Sequence, residues 1–124
     1  VNVSIGDLLD RLSIVLLKIE HYPTNVYGKA EHKVLDKEYF ELKELYIDYN
    51  LDRWLNFLKK INGNIWELES DVRKGALDND LPEVGKRAIA IRKFNGLRVE
   101  FKNIINELLK DGCVEQKLDH ISQI

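Results

Sequence analysis

Between Ser4 and Glu20 the chain runs Ser-Ile-Gly-Asp-Leu-Leu-Asp-Arg-Leu-Ser-Ile-Val-Leu-Leu-Lys-Ile-Glu, its most apolar amphipathic stretch, and no other run constrains the fold as much. At about 100° per residue, Ile5, Leu8, Leu9, Leu12, Val15, Leu16 and Ile19 share one broad arc. That arc is wider than a surface helix needs, so it faces a core. Ser4 and Asp7 have the spacing of a capping box, with a carboxylate suited to the positive helix end, and they fix the helix start. The opposite arc carries Asp7, Asp10, Arg11, Lys18 and His21, with Asp7 and Arg11 in the favourable i,i+4 order. Ile14 and Leu17 interrupt this charged arc one turn apart. Placed in water, they are either scattered surface residues or a second contact surface.

A chain of 124 residues can bury one core and is short for two, so a single domain over 1–124 is expected. Hydrophobic residues at 44% with 32% charged fit a soluble, helix-rich protein. The 19 basic and 21 acidic side chains are interspersed, net −2, and offer no single-sign field to hold nucleic acid. With one cysteine, Cys113, no internal disulfide can form. No Cys/His metal pattern accompanies it, so the expectation is a cytoplasmic protein without a cofactor or metal. There is no basic-then-apolar leader, and no apolar run approaches the ~18 residues of a membrane span, so no membrane partner is expected.

Punctuation divides the rest. Tyr22 to Gly28 holds a proline and a glycine and reads as a loop. A second helix is predicted from about Lys29 to Tyr49, with Leu35, Tyr39, Leu42, Leu45, Tyr46 and Tyr49 inward and Phe40 and Ile47 one heptad apart outside. Asp48 to Asp52 contains neither proline nor glycine, which leaves helices two and three either separate or continuous. Helix three, Leu51 to Ala76, has a bundle-like seam of Trp54, Leu58, Ile61, Ile65, Leu68 and Val72, with Gly63 a candidate close contact. Gly75 to Pro82 supplies a stop, a cap at Asp80 and a first-turn proline. Helix four is predicted over Leu81 to Asp111, closed by Gly112, with Phe94, Leu97, Phe101, Ile104, Ile105 and Leu108 inward. Residues 113–124 read as a short terminal helix or a loosely attached tail. The whole is an all-α antiparallel bundle of about four helices, with helices three and four as a long hairpin.

Polar residues at core edges are the candidates for chemistry. Asn62, Trp66, Glu69 and Arg73 follow one flank of helix three, and Asn95, Arg98, Lys102 and Asn106 one edge of helix four. A Glu69–Arg98 contact across the hairpin is expected. With Asp10 and Arg11 these residues form either a paired network fixing helix register or a polar cleft for an anionic or amide-bearing ligand.

The acidic residues Glu38, Glu41, Glu44, Glu67, Glu69 and Asp71 invite comparison with Mg²⁺-dependent helical nucleotide pyrophosphohydrolases. Their outward spacing reads instead as solvated faces, because an ion needs oxygens that converge. The first helix also bears a likeness to helical chorismate mutases, but only Arg11 and Lys18 stand where several cations would be needed. His21, His32 and His120 are scattered and read as surface residues. No phosphate loop, nucleophile elbow or Cys/His couple is present.

Ser4-Ile5-Gly6-Asp7-Leu8-Leu9-Asp10-Arg11-Leu12-Ser13-Ile14-Val15 resembles Ser-x-Gly-Glu-Leu-x-Asp-Lys-x-Thr-Ile-Leu, the opening of an uncharacterised family of short bacterial proteins, a domain of unknown function. Asn62 and Ile65-Trp66-Glu67-Leu68-Glu69-Ser70-Asp71-Val72-Arg73 are similar to its Asn and Leu-Trp-x-Ile-Glu-Asp-x-Ile-Arg. Asn95-Gly96-Leu97-Arg98 and Lys102-Asn103-Ile104-Ile105-Asn106 resemble its later runs. Ser70 and Gly96 stand where that family has carboxylates. The resemblance implies an all-helical fold and a cytoplasmic, bacterial or phage-like origin, and no activity.

Two functions follow as expectations. One is a non-enzymatic interaction module that self-associates as a homodimer through Ile14, Leu17, Phe40 and Ile47. The other is a small-molecule-binding protein or enzyme using Asp10, Arg11, Asn62, Trp66, Glu69, Arg73, Asn95 and Arg98.

Overall fold

The computed structural model describes residues 4–110, which form an all-α bundle of four helices: α1 (Ile5–His21), α2 (Val26–Leu45), α3 (Leu51–Arg73) and α4 (Leu81–Leu108). The expected tail at 113–124 lies outside the described residues, as do Asp111 and Gly112. No described helix is long and apolar enough to cross a membrane.

Capping explains the boundaries. Ser4 Oγ accepts from the Asp7 amide and donates to the Asp7 carboxylate. Asn25, Asn50 and Asp80 cap α2, α3 and α4 in the same way. The Asn50 cap, after a turn at Tyr46–Tyr49, separates α2 from α3, so they are not continuous. Helix two begins three residues earlier than its sequence suggests. Gly28 sits in its first turn, where its amide donates to the Asn25 side chain and a missing Cβ costs little helix propensity. Gly75, at φ +78°, ends α3 in the left-handed region that glycine adopts without strain.

α1 lies at the centre, packed against all three other helices, while α2 packs chiefly on α1 and touches the hairpin only marginally. The order of layers is thus α2, α1, then the α3–α4 hairpin. Leu9, Leu12, Val15, Leu58 and Ile105 are the sealed middle of the core. The hairpin is antiparallel, its register set by a Phe57–Phe101 ring contact at one end and an Asp71–Arg87 ion pair at the other.

Three expected faces need correction. Ile14 and Leu17 are not left in water: Ile14 is half-buried and Leu17 only 6% exposed. α3 covers them, Gly63 lying so close that a Cβ there would meet Leu17 in ordinary van der Waals contact. Leu45 and Tyr49 of the second helix and its exit are exposed rather than inward. On α4, Leu97, Ile104 and Leu108 are exposed, and only Ile105 of the helix is buried. The reason is the layering: α1 covers one side of the hairpin and nothing among the described residues covers the other.

Candidate ligand cleft

The seam between α1 and α4 is polar. Asp10, only 4% exposed, accepts from Arg98 Nε at 2.9 and 3.0 Å and from Arg98 Nη2 at 2.8 Å. Asn62 Nδ2 donates to the same carboxylate at 2.9 Å and to Ser13 Oγ at 2.9 Å, and the Ser13 hydroxyl donates to the Asp10 carbonyl at 2.6 Å. A carboxylate taken out of water is tolerated only when its oxygens are this fully engaged, and the forked guanidinium supplies direction as well as charge. Lys102 adds charge from one turn away, 2.9 Å from Asp7 and 3.7 Å from Asp10.

Nearer the start of α1 the helices almost touch. A Cβ on Gly6 would lie 2.6 Å from the Lys102 carbonyl oxygen, so only glycine fits. Its amide, one of the unpaired donors of the first turn, is capped by Asn106 Oδ1 at 2.8 Å, and Asn106 Nδ2 donates to Ser4 Oγ.

Beyond Arg98 this seam opens into a cleft of about 300 Å³. Its apolar surface comes from Ile14, Leu17, Ile65 and Trp66, and its polar lining from Asn62, Glu69, Arg73, Asn95 and Arg98. The Glu69–Arg73 pair also borders a second hollow with Val72 and Ile91. Asn62 Oδ1 receives no hydrogen bond from the described residues. On the far side Trp66 carries His21 stacked on it, centroids 4.5 Å apart and rings within 6° of parallel, with Tyr22 tilted beside them.

Six of the eight candidate binding residues therefore line one space: Asn62, Trp66, Glu69, Arg73, Asn95 and Arg98. Asp10 lies beneath, tied to two of them. Arg11 does not join; the next position on a helix points 100° away, and it reaches 3.6 Å from Glu31 of α2 instead. The expected Glu69–Arg98 contact is replaced: Glu69 accepts from Arg73 at 3.1 Å, and Arg98 turns to Asp10 and, at 3.3 Å, Asn95. Of the proposed self-association residues, Phe40 and Ile47 are exposed, whereas Ile14 and Leu17 belong to the cleft. Sequence reasoning missed Ser13 and the His21–Trp66 stack. A serine inside the Leu12–Leu17 apolar run was the available signal for the first.

The lining charges are matched, two arginines against Asp10 and Glu69, so the cleft offers shape, stacking and directed hydrogen bonds rather than a strong field. Among the described residues no three His, Cys, Asp or Glu side chains converge to hold a metal. Away from the cleft, the Tyr39 hydroxyl donates to Asp52. Burial, with the nearby carboxylate, pushes Tyr39 above the usual phenol range. The same bond, assisted by Lys43, holds Asp52 below the usual carboxylate range.

No family model, curated protein or solved structure matches the chain.

Proposed function

We propose that this chain is a non-enzymatic, small-molecule-binding helical module whose site is the cleft between α1, α3 and α4. The observation that carries the reading is that Asn62, Trp66, Glu69, Arg73, Asn95 and Arg98 meet around a space of about 300 Å³, the size of a small ligand pocket. Of the residues that carry the likeness to the uncharacterised bacterial family, Asn62, Trp66, Glu69, Arg73, Asn95 and Arg98 line this cleft and Asp10 lies beneath it, while Arg11 turns to α2. A cytoplasmic setting accords with the lone cysteine.

The ligand class follows from the lining. Asn62 Oδ1 is an acceptor awaiting an N–H or O–H donor. Arg73, exposed and tied among the described residues only to Glu69, has donors left for a carboxylate or phosphate, and Trp66 with Ile65 offers an apolar flank. An anionic or amide-bearing molecule with a flat apolar body fits all three.

Thermal-shift screening with nucleotides, sugars and carboxylate metabolites tests this. A true ligand at about 100 times its dissociation constant adds about 2.7 kcal/mol of stability. The gain should vanish in Arg73→Ala and Trp66→Ala, and the reading fails if compounds that stabilise the protein do so equally in both variants.

A further inference from the structure

Layering leaves one side of the α3–α4 hairpin bare, and that side is organised. Leu97, Ile104 and Leu108 recur on one stripe of α4 at steps of seven and four, and Phe57 leans from α3 onto Phe101 beside them, ring centroids 4.5 Å apart. Phe57, Leu97, Ile104 and Leu108 are all exposed. A contiguous apolar strip across two neighbouring helices is unlike scattered surface leucines.

Charges border the strip at heptad spacing. The α3 border carries Arg53, Lys60 and Glu67, and the α4 border Glu107, Glu100 and Lys93. With residue 57 beside 101 and 71 beside 87, these run level with one another: basic, basic, acidic along α3 against acidic, acidic, basic along α4. Arg53, Lys60, Glu67, Lys93 and Glu100 form no ion pair among the described residues.

We propose that this face docks a second copy of the same chain about a two-fold axis running parallel to the hairpin. That operation lays α3 of each copy over α4 of the other, closing the apolar strips into a four-helix layer. It sets Lys60 against Glu100 and Glu67 against Lys93 of the other copy, with Arg53 at the level of Glu107. The other two-fold axis that lies in the interface, at right angles to the helices, stacks α3 on α3 and α4 on α4. Centred at that level it brings Lys60 to Lys60 and Glu100 to Glu100 while setting Arg53 against Glu67 and Glu107 against Lys93, so like pairs at its middle offset part of its gain, whereas the parallel axis makes opposite pairs throughout. Self-complementarity of the borders thus points to a second copy as the occupant, and the absence of any like pair favours the parallel axis. This surface lies on the opposite side of the hairpin from the cleft, and the proposal does not rest on the cleft's function.

Sedimentation of the full chain over a micromolar-to-millimolar series, with far-UV circular dichroism to verify folding, tests it. A monomer–dimer equilibrium that weakens with added salt is expected, and Ile104→Glu should abolish it. Lys60→Glu and Glu100→Lys should each weaken association by roughly tenfold. The double variant should recover it, and the two single variants mixed should form a heterodimer. Failure of the double variant to recover overturns the proposed axis, since at positions 60 and 100 the right-angled axis still pairs like with like in that homodimer, and failure of the mixed single variants to associate overturns docking of a second copy on this face. A monomer at all concentrations also overturns it. Footprinting of Leu97 and Ile104 then separates concentration-independent protection, which assigns the face to residues 111–124, from an uncovered face.

Discussion

The two sides of the α3–α4 hairpin obey opposite rules. Toward α1 the buried positions include Asn62, with Arg98 and Lys102 at the edge, and among the described residues no side-chain nitrogen or oxygen sealed from solvent lacks a partner, Asn62 Oδ1 opening to the cleft. Away from α1 a strip of leucine, isoleucine and phenylalanine faces water between charged borders. The inner side thus sets directed polar pairs into an apolar core of Leu55, Leu58, Ile65 and Ile105, and the outer side leaves an apolar strip without such pairs. Apolar burial supplies cohesion without direction, whereas the Asp10–Arg98–Asn62 network tolerates one register of α1 on the hairpin. The hairpin thus invests its directional contacts in placing α1 and keeps its non-directional surface for something else.

Removing the network tests that contrast most severely. Asp10→Ala leaves the Arg98 guanidinium facing a buried gap and is expected to lower stability by about 3–5 kcal/mol in urea denaturation. A loss under about 1 kcal/mol would mean that the seam is held by apolar packing alone. Adjacent isoleucines sharpen the comparison. Ile105→Ala, at 0% exposure, should cost about 2–5 kcal/mol, while Ile104→Ala, at 46%, should cost no more than about 0.5 kcal/mol in the monomer. Equal losses would show that the outer side is packed too. Gly6→Ala falls between these, at about 1–3 kcal/mol, because the Lys102 backbone must move.

The smallest expected effect is one of pH. Asp52 is held below its unfolded value, so its contribution is complete above about pH 4–5 and fades as acid carries it through the folded value. Asp52→Asn should flatten that part of the acid limb. Tyr39 is raised, so the unfolded chain ionises first and stability falls above about pH 10. Tyr39→Phe should blunt this alkaline loss, and melting curves across both limbs would show whether the pair acts as drawn.

Much of this was legible in the chain itself. Ser4, Gly75 and Asp80 mark helix ends through local chemistry that does not depend on what the helix packs against, whereas the sequence leaves the break at Asn50 open. Asn62, Glu69 and Arg98 stood out because a polar residue beside an apolar seam has to find a partner. Orientation was harder to read. Helix four has apolar residues on two stripes, and periodicity alone cannot say which meets α1; the answer lies in Gly6 and Asp10, more than eighty residues away. Leu17 was misplaced for the same reason. Its position on α1 looks outward until α3 is known to reach round beside it, and Arg11 looked like a cleft residue until α2 claimed it.

The near-contact at Gly6 has a consequence for how the chain becomes a protein. The hydrogen bond from Gly6 to Asn106 spans 100 residues, and the helix that the other three described helices pack against is synthesised before them. During translation α1 can meet α2 and α3, but its first turn stays unfinished until the end of α4 has been made. Long-range closure of this kind slows folding relative to a bundle of purely local hairpins. A ribosome-bound chain ending before Asn106 would carry an apolar, half-covered α1, a form that chaperones are built to recognise.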